Sequence, residues 1–164
     1  MEKLILHIPH SSVIFPDKKG FICTDQVLSD EVLKLTDWYT DDLFASEHDL
    51  PVVAGFSRIY CDPERFTDDD QEPMSTLGMG VLYEKNDSGE VIRRVNPELK
   101  KRVLENYYKP HHDRLLAAVD SRLAASGKAF IIDCHSYPDV PVRRDLSKDT
   151  PRPDFNLGTD SFHT

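Results

Sequence analysis

Residues Ala129-Phe130-Ile131-Ile132-Asp133-Cys134-His135-Ser136-Tyr137 constrain the fold of this chain more than any other stretch. A run of apolar residues long enough for one buried strand stops at a cluster of polar groups. Such a run reads as a central strand of a parallel sheet, covered on both faces. Open α/β sheets hold their ligands outside the carboxyl ends of the strands. His135 is then placed to reach a ligand, with Asp133 near enough to orient it. The first strand repeats the design, because Leu4-Ile5-Leu6-His7-Ile8 runs into Pro9-His10-Ser11-Ser12. A single strand-end histidine usually serves as a structural hydrogen-bonder. Two with the same placement, each followed by Ser, suggest a metal site.

At 164 residues the chain has the length of one domain, 1–164, and can bury a core. Its 30% charged and 39% hydrophobic residues are ordinary for a soluble globular protein. A net charge of −9 with no basic stripe argues against nucleic acid as a partner. Lys100-Lys101-Arg102, the nearest candidate, reads as the solvated face of a helix. An acidic chain can still hold an anionic small molecule through one or two arginines or a metal. Cys23, Cys61 and Cys134 form no CxxC pair, so neither a disulfide framework nor a cysteine zinc site is supported. Cys134 reads as a small core residue. The N-terminus lacks a basic region followed by an apolar core, and no stretch approaches the roughly 20 apolar residues of a membrane helix. The expected compartment is the cytoplasm.

Strands and helices alternate, which predicts an α/β fold: three layers, with a mainly parallel or mixed central sheet flanked by helices. A helix is expected from Thr24 or Asp25 to near Glu47, with an interruption allowed. Residues 50–54 and 57–61 read as short extended pieces, 62–76 as an acidic surface loop, and 78–83 as a further strand before a turn at 86–89. Asn96 and Pro97 mark a helix start as cap and first residue. Pro110 is expected to kink or break that helix, which ends near Gly127. The segment 138–164 has no periodicity and reads as an irregular tail.

A hydrolytic zinc site typically takes three protein ligands and leaves a position for water. His10 and His135 supply two. Asp37 and Asp41, four residues apart on an expected helix, share one face and are candidates for the third. Arg58 and Arg65 precede and enter the acidic loop, and an arginine in a cleft binds a carboxylate through its fork. His111 and His112 open a helix, where one imidazole can face a cleft.

These segments resemble the N-formylglutamate amidohydrolase family in order and spacing. The resemblance rests on Leu6-His7-Ile8-Pro9-His10-Ser11-Ser12, Thr36-Asp37-Trp38-Tyr39-Thr40-Asp41 and Ser57-Arg58-Ile59-Tyr60-Cys61-Asp62-Pro63-Glu64-Arg65-Phe66. It extends to Tyr107-Tyr108-Lys109-Pro110-His111-His112, Asp133-Cys134-His135-Ser136 and Pro153-Asp154-Phe155-Asn156-Leu157-Gly158-Thr159. The strand around 130–137 also resembles the one that carries the last histidine ligand of zinc carboxypeptidases, in keeping with a phosphorylase/hydrolase-like fold.

The resemblance implies a zinc-dependent amidase acting on small N-formyl or other N-acyl amino acids, and His/carboxylate sites also suit other divalent ions. It implies His10 and His135 as metal ligands beside the acidic Asp37 and Asp41, and Arg65 as the anchor of the substrate carboxylate. His112 or Arg58 is expected to stabilise the oxyanion, and Ser136 to contact substrate. Two departures stand out. Glu64 replaces the Asn expected before Arg65, adding negative charge near the carboxylate site, and His111 replaces a Tyr. The family is also expected to continue beyond Gly158-Thr159 with further strands and a strand-end Glu, so the fold is expected to be incomplete at its C-terminal side. Two alternatives therefore stand beside the deformylase reading. One is a hydrolase of another N-acyl amino acid or short peptide, and the other is a metal- or ligand-binding module without catalysis.

Overall fold

The computed structural model describes residues 3–143, 145 and 147–158. Thr159 of the last motif and the terminal Phe162-His163-Thr164 lie outside the described residues. Strand β1 (Ile5–Ile8) is buried along its whole length and pairs in parallel with β2 (Leu50–Val53) on one side and β3 (Ile131–Asp133) on the other. The order β2-β1-β3 makes β1 the central strand. The expectation that the 129–133 run is central is corrected here. Among the described residues β3 pairs on one side only, leaving Ile131 and Ile132 49% and 40% exposed. Apolar composition identifies a strand that favours cover; it does not reveal how many neighbours the strand has.

Helix α1 (Asp25–Leu35) starts where the Thr24 hydroxyl accepts from the Val27 N–H at 3.3 Å. It stops earlier than expected. Thr36 is extended and Tyr39 takes a left-handed φ of 62°, so a separate short helix α2 (Thr40–Leu43) comes next. Helix α3 (Pro97–Val103) is capped as read, with the Asn96 side chain accepting from the Leu99 N–H at 2.8 Å. Pro110 widens the turns around it rather than breaking them. Leu104–Tyr108 is π-helical and leads into α4 (Lys109–Ser126). Proline has no N–H to offer the preceding turn, and a π step accommodates the mismatch. Gly127, with φ 70°, ends α4.

The middle of the chain departs most from expectation. Residues 57–61 form a turn, not an extended piece, closed by the Tyr60 and Cys61 N–H groups on the Ser57 carbonyl. Residues 78–83 form only an isolated bridge between Met79 and Tyr83, and Pro73–Leu77 within the acidic segment is a 3-10 helix. This irregular segment holds much of the core. Tyr60, Cys61, Val81 and Leu82 pack with Leu99 and Val103 of α3, while Leu28 and Leu35 of α1 pack with Ile59, Tyr83 and Ile92. The buried Arg93 lies over the Phe21 and Tyr60 rings and donates to the Tyr60 carbonyl at 2.7 Å. Cys134 joins Leu6 and Ile8 in a third apolar cluster, as its core reading anticipated. No helix among the described residues is long and apolar enough to cross a membrane.

Candidate metal centre

Because the strands are parallel, the residues beyond their carboxyl ends gather at one edge of the sheet. His10 leaves β1 and His135 leaves β3, and their rings stand 5.3 Å apart. Asp37, in the break between α1 and α2, closes the group. Its Oδ2 lies 2.8 Å from His135 Nδ1 and 3.7 Å from His10 Nδ1. The backbone fixes Asp37 there: its N–H donates to the His10 carbonyl at 3.1 Å, and the Thr40 hydroxyl donates to the Asp37 carbonyl at 2.8 Å. The left-handed Tyr39 that ends the helical run also separates the two candidate carboxylates. Asp41 does not share a helical face with Asp37. It is exposed and joins none of the potential ligand clusters among the described residues.

Each imidazole turns its other nitrogen to a carboxylate. His10 Nε2 is 2.9 Å from Asp62 Oδ1 and 3.3 Å from Glu64 Oε2. His135 Nε2 faces Glu64 Oε1 at 3.4 Å and Asp133 Oδ2 at 3.5 Å. Metal-binding histidines adopt this arrangement, with a carboxylate fixing the tautomer from behind. His10 Nδ1, buried and without a hydrogen-bond partner, is the strongest sign that an ion fits. A buried polar nitrogen left unpaired requires a reason, and a metal bond supplies one.

Charge points the same way. Asp37, Asp62, Glu64 and Asp133 surround the histidines, and the guanidinium groups of Arg58 and Arg65 offset only half of that charge. The remainder equals the charge of one divalent cation. By themselves the carboxylates draw positive charge onto the imidazoles. Burial works against it, yet bonds to Asp133, Asp37 and Glu64 push His135 up to about 12, and Asp62 raises His10. Asp37, despite its burial, is held at about 2 by His10 and His135, and Asp62 lies well below the usual carboxylate range beside His10 and Arg58. Two other triads of ligand atoms occur, His7/Glu64/Asp133 and His10/Asp62/Glu64. They suit an ion less well. Both nitrogens of His7 are already hydrogen-bonded, and Asp62 already serves His10, Arg58 and Tyr83.

The structure thus brings together His10, Asp37 and His135 and leaves Asp41 outside. Arg58 lies beside them, donating to Asp62 Oδ2 at 3.1 Å and standing 3.5 Å from Asp37 Oδ1. Arg65 is half-turned toward Asp62, at 3.8 Å, with its buried Nε unpaired. His112 Nε2 donates to the Pro63 carbonyl at 2.8 Å, bracing the loop that carries Glu64 and Arg65. The Ser136 hydroxyl donates to the Trp38 carbonyl at 2.8 Å and so ties the His135 segment to that of Asp37.

Asp62 is the residue that sequence reasoning leaves without a site role, and Glu64, read there only as a charge beside Arg65, also meets both histidines. An acidic, proline-containing stretch reads as solvated loop, yet Asp62 is completely buried. Arg58 is a local partner four residues away, but His10 and Tyr83 come from separate segments that only the fold assembles.

Fold and site together define a class: an α/β protein whose parallel sheet presents two histidines and a carboxylate at its carboxyl edge, the ligand types of catalytic zinc sites. A sequence model described as N-formylglutamate amidohydrolase matches residues 2–164, and the chain belongs to that family. It is 29% identical over 168 residues to N-formylglutamate deformylase of Pseudomonas putida, covering 95% of this chain and 58% of that protein. It is also similar to the crystal structure of N-formylglutamate amidohydrolase from Ralstonia eutropha JMP134. That match has a TM-score of 0.74 at 25% identity, over 92% of this chain and 59% of the other. The chain therefore spans less than two thirds of the length of these relatives.

Proposed function

We propose that this chain carries the metal-binding half-site chemistry of an amidohydrolase that removes the formyl group from N-formyl amino acids, N-formylglutamate foremost. The observation that carries the reading is the unpaired, buried Nδ1 of His10, set beside Asp37 and His135 at the carboxyl edge of the sheet. His10, Asp37 and His135 would hold the ion, with zinc the expected metal. A bound zinc ion supplies a water of lowered pKa and polarisation of the scissile carbonyl. Asp62 and Asp133 keep the two imidazoles oriented with Nδ1 toward the ion. Arg65 receives the substrate carboxylate, and His112 holds the 63–65 loop in place for it. Arg58, tied to Asp37 and Asp62, acts by fixing those carboxylates rather than by meeting an oxyanion directly. Glu64 meets both imidazoles at Nε2, on the side away from the ion, and acts with Asp62 and Asp133 to orient them.

Formate release from a panel of N-formyl amino acids tests the reading, with zinc-loaded and chelator-treated protein and with His135→Ala. The expected result is turnover that needs zinc and vanishes in the variant. Turnover unchanged by zinc removal and by His135→Ala would contradict it. Glu64 favours a second reading of the substrate, because its negative charge beside Arg65 disfavours a diacid. Better hydrolysis of neutral N-acyl amino acids than of N-formylglutamate would select that reading. Zinc binding without hydrolysis of any of them would select a binding module instead.

A further inference from the structure

A second group of histidines lies behind the proposed centre, on residues that this function does not use. In the sheet register His7 sits beside Asp133, and side chains at paired positions project from the same face. His7 Nδ1 is accordingly 2.7 Å from Asp133 Oδ1. Helix α4 covers that face and sets His111 Nε2 2.8 Å from His7 Nε2. One turn further along α4, Arg114 Nη2 lies 3.4 Å from His111 Nδ1 and donates to the Val53 carbonyl at 3.0 Å. His7 and His111 are both buried, at 6% and 1% exposure, and burial and the neighbouring imidazoles lower His111 to about 3, so it is neutral.

The direction of every bond in this chain is set from one end. A guanidinium only donates, so His111 Nδ1 must accept and the single ring proton of His111 sits on Nε2. That proton is donated to His7 Nε2, which leaves the proton of His7 on Nδ1, donated in turn to Asp133. The other oxygen of Asp133 faces His135 Nε2 at 3.5 Å, next to Glu64 Oε1 at 3.4 Å, so the two carboxylates share that nitrogen. The reverse direction would set an N–H of His111 against an N–H of Arg114.

We propose that His7 and His111 are positioning residues: a one-way hydrogen-bond chain from Arg114 holds Asp133 behind His135, so that this imidazole keeps its proton on Nε2 and its Nδ1 lone pair toward the ion. The proposal rests on the metal reading above, and its consequence is tighter metal binding. Carboxylates behind metal-binding histidines typically contribute about 10–100-fold in affinity.

Two measurements test it. In metal-free protein labelled with 15N-histidine, nitrogen shifts should assign the ring proton of His7 to Nδ1 and that of His111 to Nε2. A His111 proton on Nδ1 would overturn the chain. Zinc affinity, measured by competition with a chromophoric chelator, should fall about 10–100-fold in His7→Leu and His111→Leu. His111→Gln, whose amide nitrogen replaces the donor at Nε2, should bind as the unaltered protein does. Arg114→Met breaks the chain from its exposed end without emptying the core, and should weaken zinc binding and release the His111 tautomer. Wild-type affinity in His7→Leu, His111→Leu and Arg114→Met would overturn the proposal. If the unaltered protein binds no zinc, the metal reading itself fails, and the tautomer assignment alone decides the hydrogen-bond chain.

Discussion

Asp62 has no exposure to solvent, yet its two oxygens meet His10 at 2.9 Å, Arg58 at 3.1 Å and the Tyr83 hydroxyl at 2.9 Å. A buried carboxylate is tolerated only when its partners are fixed, and the same partners are stranded when it is removed. Asp62→Ala leaves the largely buried Arg58 guanidinium without its main counter-charge. Breaking a buried ion pair in this way costs about 3–5 kcal/mol. Urea unfolding of metal-free Asp62→Ala should show a loss of that size. A loss below about 1 kcal/mol, the level of an exposed pair, would mean that Asp62 does not organise the site. Tyr83→Phe removes one hydroxyl donor from the same ionised carboxylate and should cost about 1.5–3 kcal/mol by the same measurement.

Two contacts between elements hold the segment after β1 against α3. Gly20, with φ 82°, brings its Cα so close that a Cβ would stand 2.6 Å from the Arg94 carbonyl and 2.7 Å from Leu99 Cδ2. Gly20→Ala therefore meets both left-handed backbone strain and a clash with main chain. It should destabilise by about 2 kcal/mol or more, visible as a lowered urea midpoint; an unchanged midpoint would contradict the packing of this turn on α3. Nearby, Arg102 of α3 donates to Asp17 at 2.7 Å. That bond holds the Asp17 carboxyl at about 2, against a usual value of 3.8. A lowered pKa in the folded state means stability that is present above about pH 4 and is lost as pH falls toward 2. Both side chains are about a third exposed, so the gain is about 0.5 kcal/mol and weakens with salt. Arg102→Ala should be less stable by that amount at pH 7, and the gap should narrow as pH falls through 2; a gap undiminished at pH 2 would assign the effect to packing.

At the scale of the whole molecule, the parallel sheet and its histidine-bearing edge are legible in the sequence because both rest on local signals. Each of two apolar runs, closing on a histidine, marks a strand together with the loop at its carboxyl end. The caps at Thr24 and Asn96 are equally local. Strand order is not legible, since the apolar run at 129–133 carries no record of its neighbours. Nor is the core beneath residues 54–95, where burial comes from turns and single side chains such as Arg93 rather than from a periodic face. Asp41 falls outside the site because one left-handed residue, Tyr39, interrupts the helix on which its alignment with Asp37 depends. The roles of Asp62 and the His7–His111 pair are not legible because their decisive partners, His10 and Tyr83 for the one and Asp133 for the other, meet only through tertiary contacts and strand register. The unpaired Nδ1 of His10 and the grouping of His10, Asp37 and His135 support the proposal that these three hold a divalent ion. The most direct measurement is elemental analysis of the chain purified without chelator, beside a His10→Ala, His135→Ala double variant. About one zinc per chain, absent from the variant, is the predicted result. A wild-type chain that takes up no metal when zinc is added, or a double variant that retains it, would contradict the account.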